Sequence, residues 1–194
     1  MATRRLPDKG KSAVRPSLIR KPATESAGLS AAELRALRRQ MAETEIRAVM
    51  DLYFHAIDSR AFTGLRNVFT EDVRYDFSGG AIRFEGWKDV ADSLSRTLKG
   101  GAISSSNHFN TSVRISVKGD TATSDSHAMV ALMSERGGNG HGAVVTRGLR
   151  YKDRWVKTAR GWRIAYRLHL RSWTMETPAV PPVPVGGKGQ PGIR

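Results

Sequence analysis

The sequence predicts an α+β fold, a curved and mostly antiparallel sheet wrapped as a cone-shaped barrel around N-terminal helices. Three observations predict it. Apolar residues recur at three- and four-residue steps from Leu34 to Leu98, and then at two-residue steps from Phe109 onward. All eight prolines fall at positions 7, 16, 22, 178, 181, 182, 184 and 191, so the stretch from Ala23 to Thr177 has none and delimits one folded unit. A chain of 194 residues is long enough for one domain with a substantial core, and helices followed by a run of strands make that domain α+β. The expected organisation is a basic tail over 1–28, the barrel domain over 29–177 and a Pro/Gly-rich tail over 178–194.

Ser30 followed by Glu33 is a capping box, in which each side chain bonds the other residue's backbone N–H and opens a helix. Leu34, Leu37, Met41, Ile46, Val49, Met50, Tyr53 and Ile57 then share one apolar face of a long helix, with a bend expected near Glu43 to Glu45. Phe62, Leu65, Val68 and Phe69 suggest a short second helix. VRYDFS and AIRFEG read as a hairpin. Gly86 precedes a third helix whose Trp87, Val90, Leu94 and Leu98 share a face, stopped by Gly100 and Gly101. In NHFNTSVRISV the apolar set Phe109, Val113, Ile115 and Val117 alternates with His108, Asn110, Ser112 and Arg114, the pattern of a half-buried strand. KGD turns it into TATSDSHAMVALM. The RGGNGHG loop, with His141 in a possible lid, leads to AVVTRGLRYKDRWVKT, and ARG turns that into WRIAYRLHLRSWT.

Composition removes several classes of function. Without cysteine there are no disulfides, thiolate metal sites or thiol nucleophiles. The longest apolar stretches, such as MVALM, are far short of a membrane span, and the N-terminus lacks the apolar segment of a secretory signal, so a cytoplasmic protein without membrane association is expected. The net charge of +14 is spread unevenly: residues 1–28 hold seven basic side chains against two acidic ones. That segment has no aromatic residue for bases to stack on, so nucleic-acid binding is not expected despite the charge. No spacing supports a metal site, and GGNGHG lacks the strand-to-helix setting of a phosphate loop. The expected partners are a small-molecule substrate and further copies of the chain, as a homodimer or homotrimer.

The succession YFHAIDSRAFTGLRNVFTEDVRYDFSGG, FEGWKDV, SNHFNTSVRISVKGDTATSDSHAMV and LRYKDRWVKTARGWRIAYRLHLRSWT, from about residue 40 to 176, resembles the SnoaL-like branch of the nuclear transport factor 2 superfamily. That superfamily includes polyketide cyclases, scytalone dehydratase and ketosteroid isomerase. The resemblance implies a pocket in the wide mouth of the cone and no cofactor. In its dehydratase members and related lyases, a tyrosine on the first helix, an aspartate five residues later and a histidine opening a long strand form the site, and a dehydrochlorinase member likewise pairs such an aspartate with such a histidine; the resemblance carries this over to Tyr53, Asp58 and His108.

The chemistry of those side chains agrees. Elimination next to a carbonyl needs a base, a hydrogen-bond donor for the developing charge and few waters. His108 suits the base, Asp58 would orient its ring, and Tyr53 would donate. Five residues on a helix turn the side chain by about 140°, so Tyr53 and Asp58 reach one pocket only if the helix ends near Asp58; otherwise Asp58 is a turn residue bonded to backbone.

Further candidates for substrate contact are Tyr75, Asp76, Phe77, Asn110, His127, Arg167 and Arg171. Asp76 matches roughly the base of ketosteroid isomerase, which would make the reaction an isomerisation or cyclisation. Phe77 stands where dehydratases often carry a second tyrosine. His127 shares the face of His108 if the KGD turn has two residues. Arg167 and Arg171 could hold an anionic group. The reading is a cofactor-independent dehydratase-type lyase acting on a small hydrophobic cyclic or aromatic hydroxylated substrate. The alternatives are the Asp76 enzyme, or a non-catalytic assembly module such as the small subunit of a ring-hydroxylating dioxygenase, built on an exposed sheet face around Trp155.

Overall fold

The computed structural model describes residues 28–99, 103–134 and 142–179. The expectations about the basic tail, the Gly100–Gly101 stop, the loop with His141 and the proline-rich tail lie outside the described residues, apart from Gly28 and residues 178 and 179. The capping box at Ser30 forms as read, with the Glu33 carboxylate accepting from the Ser30 N–H at 2.8 Å, and it starts α1 (Ala31–Asp58). This helix runs 28 residues without interruption. Its apolar face is divided in use. Ile46, Met50, Tyr53 and Ile57 are buried in the core, whereas Leu34, Leu37 and Met41 stay exposed, because the helix reaches the body of the protein only at Ala42. At about 1.5 Å per residue, the preceding three turns extend beyond what the sheet covers.

Residues 62–67 form a tight 3₁₀ segment rather than an α-helix, and Phe69 belongs already to the next strand. The chain continues through β1 (Phe69–Phe77), β2 (Ile82–Glu85) and α2 (Trp87–Lys99) to four long strands: β3 (Ile103–Lys118), β4 (Thr121–Ser134), β5 (Ala143–Thr158) and β6 (Gly161–Pro178). They make one six-stranded sheet in the order β2-β1-β6-β5-β4-β3. Every pairing is antiparallel except β1 with β6. The two ends of this order, β2 and β3, are not hydrogen-bonded to each other, so the curved sheet is not closed. Both helices pack against it. No helix among the described residues is long and apolar enough to cross a membrane.

The core fills the space between α1 and the concave side of the sheet. Trp155, Trp162, Ile164, Phe69, Val73 and Leu65 are almost wholly buried there, each large side chain contributing about 1.5–3 kcal/mol by its removal from water. Trp155 therefore does not present an exposed sheet face. It is 1% exposed and donates from its indole to Ser124 Oγ at 2.9 Å.

A charged pair lies inside this core. Asp153 accepts both the Nε and a terminal NH of Arg167 at 2.8 and 2.9 Å, and the guanidinium lies over the rings of Tyr53 at 4.2 Å and Tyr151 at 4.5 Å. Burial alone would lower the Arg167 pKa, but the charge and bonds of Asp153 raise it well above its ordinary value.

Candidate active site

One of the two irregularities in the pairing of β3 with β4 decides the site. Below the two-residue turn at Gly119 and Asp120, the β3 and β4 registers pair Lys118 with Thr121 through Ser112 with His127, so that Val113, Ile115 and Val117 face the core. Between Asn110 and Ser112 the register shifts by one at Thr111, and thereafter Asn110 opposes Ala128 and His108 opposes Val130. One extra residue reverses the faces. His108 turns inward, its side chain 8% exposed, and Phe109, expected in the core, is 49% exposed. The same bulge sends His127 outward although the turn has two residues, and its ring meets Ser112 Oγ at 3.1 Å on the exposed side.

The inward His108 meets the end of α1. The helix stops at Asp58, with Ser59 as its cap, so Tyr53 and Asp58 do reach one region despite their angular separation. One carboxylate oxygen of Asp58 lies 2.6 Å from His108 Nδ1, the other accepts the His108 backbone N–H at 2.8 Å, and Ser106 Oγ donates to the first at 2.8 Å. Burial pushes the Asp58 pKa up, but these bonds from His108 and Ser106 and the nearby imidazole outweigh it, and the net direction is down. With an ionised carboxylate on Nδ1, that nitrogen carries the proton and Nε2 is left as the basic nitrogen. Phe54 stacks on the other side of the imidazole, with centroids 5.1 Å apart and planes 12° from parallel.

Arg60 completes this corner, and nothing in the sequence reading singled it out. It holds φ +60°, a left-handed conformation that favours glycine after a helix, and its guanidinium donates to Ile57 O at 2.9 Å and to Ser106 Oγ at 2.6 Å. A chain of bonds thus runs from Arg60 through Ser106 to Asp58 and His108.

His108 lines a cavity of about 90 Å³ together with Tyr53, Tyr75, Phe77, Tyr151, His169, Arg147 and Arg171, closed by apolar side chains including Ile57, Leu94, Leu98, Val130 and Leu149. Tyr53 and Tyr75 share a hydrogen bond between hydroxyls at 3.1 Å. Burial raises the Tyr75 and Tyr151 pKa values well above the ordinary phenol, so both remain neutral donors at any physiological pH. Phe77 stacks on His169 at 4.3 Å, with planes only 3° apart. Burial first, then the charges of Arg167 and Arg171, lower the His169 pKa to about 3, and the Ser78 N–H points at its Nδ1 at 3.5 Å. Its ring is neutral, with the proton on Nε2.

Tyr53, Asp58 and His108 thus come together, with Tyr75, Phe77 and Arg171 around the same cavity. Four other candidates are elsewhere. Asp76 lies on the opposite face of β1 from Tyr75, where Arg74, Arg83 and the Tyr166 hydroxyl hold it at 2.8, 3.0 and 3.0 Å. The Arg74 bonds first, then those of Arg83 and Tyr166, outweigh burial and keep its pKa at about 2. Asn110 is exposed and reaches Asp51 at 3.4 Å. His127 is outward for the reason given. Arg167 is committed to Asp153 beneath the tyrosines rather than to the cavity. Tyr151, Arg147 and His169 were missed, although their signal was present: the two-residue period that buries Leu149 and Trp155 places Arg147 and Tyr151 in the same row, and His169 lies midway between Arg167 and Arg171. Among the described residues no group of three or more His, Asp or Glu side chains could hold a metal ion.

The model of the SnoaL-like domain matches residues 38–168, which contain the whole dyad and most of its cavity. The chain belongs to the SnoaL-like domain family. Among curated proteins none matches the sequence. Solved structures share the SnoaL-like architecture. Kfla4162 from Kribbella flavida superposes with a TM-score of 0.64 at 24% identity, over 71% of this chain and 95% of that one. An NTF2-like protein with a cystatin-like fold from Novosphingobium aromaticivorans gives 0.59 at 25% identity, over 73% and 90%. The hexachlorocyclohexane dehydrochlorinase LinA-type3 from Novosphingobium barchaimii LL02 gives 0.61 at 14% identity, over 77% and 99%. At that identity the likeness to the dehydrochlorinase concerns the fold alone.

Proposed function

We propose that this SnoaL-like domain is a cofactor-independent lyase that eliminates water from a small hydrophobic, cyclic or aromatic hydroxylated substrate. The observation that carries the proposal is the clamp on His108: a carboxylate on Nδ1, an aromatic ring along one face, and the remaining edge in an apolar cavity lined by phenols. A fixed base facing a water-poor, donor-lined space suits proton abstraction next to an electron-withdrawing group. His108 Nε2 takes a proton from carbon, and the electron pair of that C–H bond forms the double bond. The C–O bond on the neighbouring carbon breaks, with its oxygen accepting a hydrogen bond from Tyr53 and leaving as water on receiving the proton that His108 took from carbon, which restores the neutral imidazole. Asp58 holds the imidazole in its productive tautomer and stabilises the imidazolium while the proton is on it. Tyr53 and Tyr75, bonded to each other, leave one hydroxyl hydrogen for the substrate.

The size of the cavity narrows the substrate. At about 90 Å³ it is smaller than the roughly 150 Å³ of an apolar cavity able to take benzene, so even a single small ring requires slight outward movement of the walls, which favours a small substrate. The commitment of Asp76 to two arginines favours elimination by His108 over isomerisation by Asp76. The fold neighbour named as a dehydrochlorinase is compatible with an elimination but does not specify the leaving group. The test is a screen of single-ring hydroxy-ketones for new ultraviolet absorbance from conjugation, run beside His108→Ala. The proposal expects turnover that this variant loses by at least about a thousandfold with its melting temperature retained. Equal turnover by the variant would overturn it.

A further inference from the structure

Two of the side chains around the cavity are cations with no charged partner among the described residues. On β5 and β6, Arg150 is paired with Asp125 and Arg167 with Asp153. Arg147 and Arg171, which both line the cavity, make no ion pair and no hydrogen bond with any described residue. Arg147 is half-buried and its Nε is shielded from solvent without an acceptor; Arg171 is exposed at the rim. A guanidinium stays charged in a protein, so placing two of them at one cavity sets like charges against each other and leaves a buried donor unsatisfied. The direction of the Arg147 pKa, lowered by burial and then by Arg171, expresses the same tension. Among the described residues no other group around the cavity relieves it: Tyr53, Tyr75 and Tyr151 are phenols, His169 is neutral, and the Asp58 carboxylate is taken up by His108 and Ser106.

We propose that the substrate carries a carboxylate, which Arg147 and Arg171 hold at the rim of the cavity while the ring or chain bearing the leaving group enters toward His108. This deepens the lyase reading and rests on it for what happens after binding. A carboxylate fits the pair because its two coplanar oxygens match the fork of a guanidinium, and it is the smaller of the anions that do. The carboxylate serves as a handle that orients the substrate along the axis from β5 and β6 to the dyad.

The test uses the full chain and measures binding, independently of turnover. Benzoate and propionate are titrated at low ionic strength, each against its neutral amide, by protein NMR, with phenyl phosphate as the bulkier anion. The expected result is at least a tenfold preference for each carboxylate over its amide, with phenyl phosphate weaker than benzoate. Arg147→Gln removes the preference and Arg171→Gln reduces it by about threefold. Arg147→Lys retains part of it, which separates loss of charge from loss of fold should Arg147→Gln be unstable. Equal binding of acid and amide, a preference that survives Arg147→Gln, or tighter binding of phenyl phosphate overturns the proposal. A preference that persists in a protein with no lyase activity would defeat the catalytic reading and keep the carboxylate site.

Discussion

Replacing Asp153 with asparagine isolates the most costly electrostatic arrangement in the fold. The Arg167 and Asp153 side chains are 2% and 0% exposed, and the aspartate accepts two guanidinium bonds and a longer one from Ser124 at 3.4 Å. The asparagine occupies nearly the same volume, so little packing is lost, but the guanidinium keeps its charge with no counter-charge in the core. Removing one partner of a buried pair costs about 3–5 kcal/mol. For a domain of this size each kcal/mol lowers the melting temperature by about 2–4 °C, which gives a drop of about 6–20 °C. Arg167 also stacks on Tyr53 and Tyr151, so the variant should loosen the phenol wall and lose more activity than its residual folded fraction explains. Urea denaturation followed by tryptophan fluorescence gives the free energy, and the double variant Asp153→Leu with Arg167→Met should recover most of it. A loss below about 1 kcal/mol for Asp153→Asn would refute the assignment of a buried, mutually dependent pair.

Asp58→Asn should lower kcat by about 10³–10⁴ while the folded state persists, because the amide favours the wrong imidazole tautomer; steady-state kinetics beside circular dichroism checks it. Ser106→Ala removes one donor to Asp58 and one acceptor for Arg60, and should cost about 1 kcal/mol of stability and on the order of tenfold in kcat. His169 has a folded pKa of about 3 against 6.5 when unfolded, so the unfolded chain binds the extra proton; its contribution is complete above pH 6.5 and is lost as pH falls toward 3. His169→Phe keeps a ring against Phe77 and should flatten the fall in stability between pH 6.5 and 4, measured by denaturant titration at several pH values.

The strands were legible because their alternation is strong and their turns, KGD and ARG, stand within a residue or two of the observed ends. The face that each residue takes was legible only where no bulge intervenes. In NHFNTSV the apolar alternation lapses at Thr111, and that lapse marks the bulge; read as continuous, it assigned Phe109 to the core and His108 to the polar face. Within the site, Tyr53, Asp58 and His108 came from a family pattern, whereas the bonds that hold them depend on Ser106 and Arg60, whose importance arises from a tertiary meeting of the α1 end with β3. The exposed Leu34, Leu37 and Met41 illustrate the same limit, since helical periodicity specifies a face but not whether the protein reaches it.

The central claim, that Asp58 fixes His108 with its basic nitrogen in the cavity, is tested most directly by ¹⁵N NMR of the histidine side chains at mildly alkaline pH. The expected spectrum is that of a His108 imidazole protonated on Nδ1, with a slowly exchanging proton that is lost in Asp58→Asn. A His108 ring protonated on Nε2, or one whose tautomers average as in water, would contradict it.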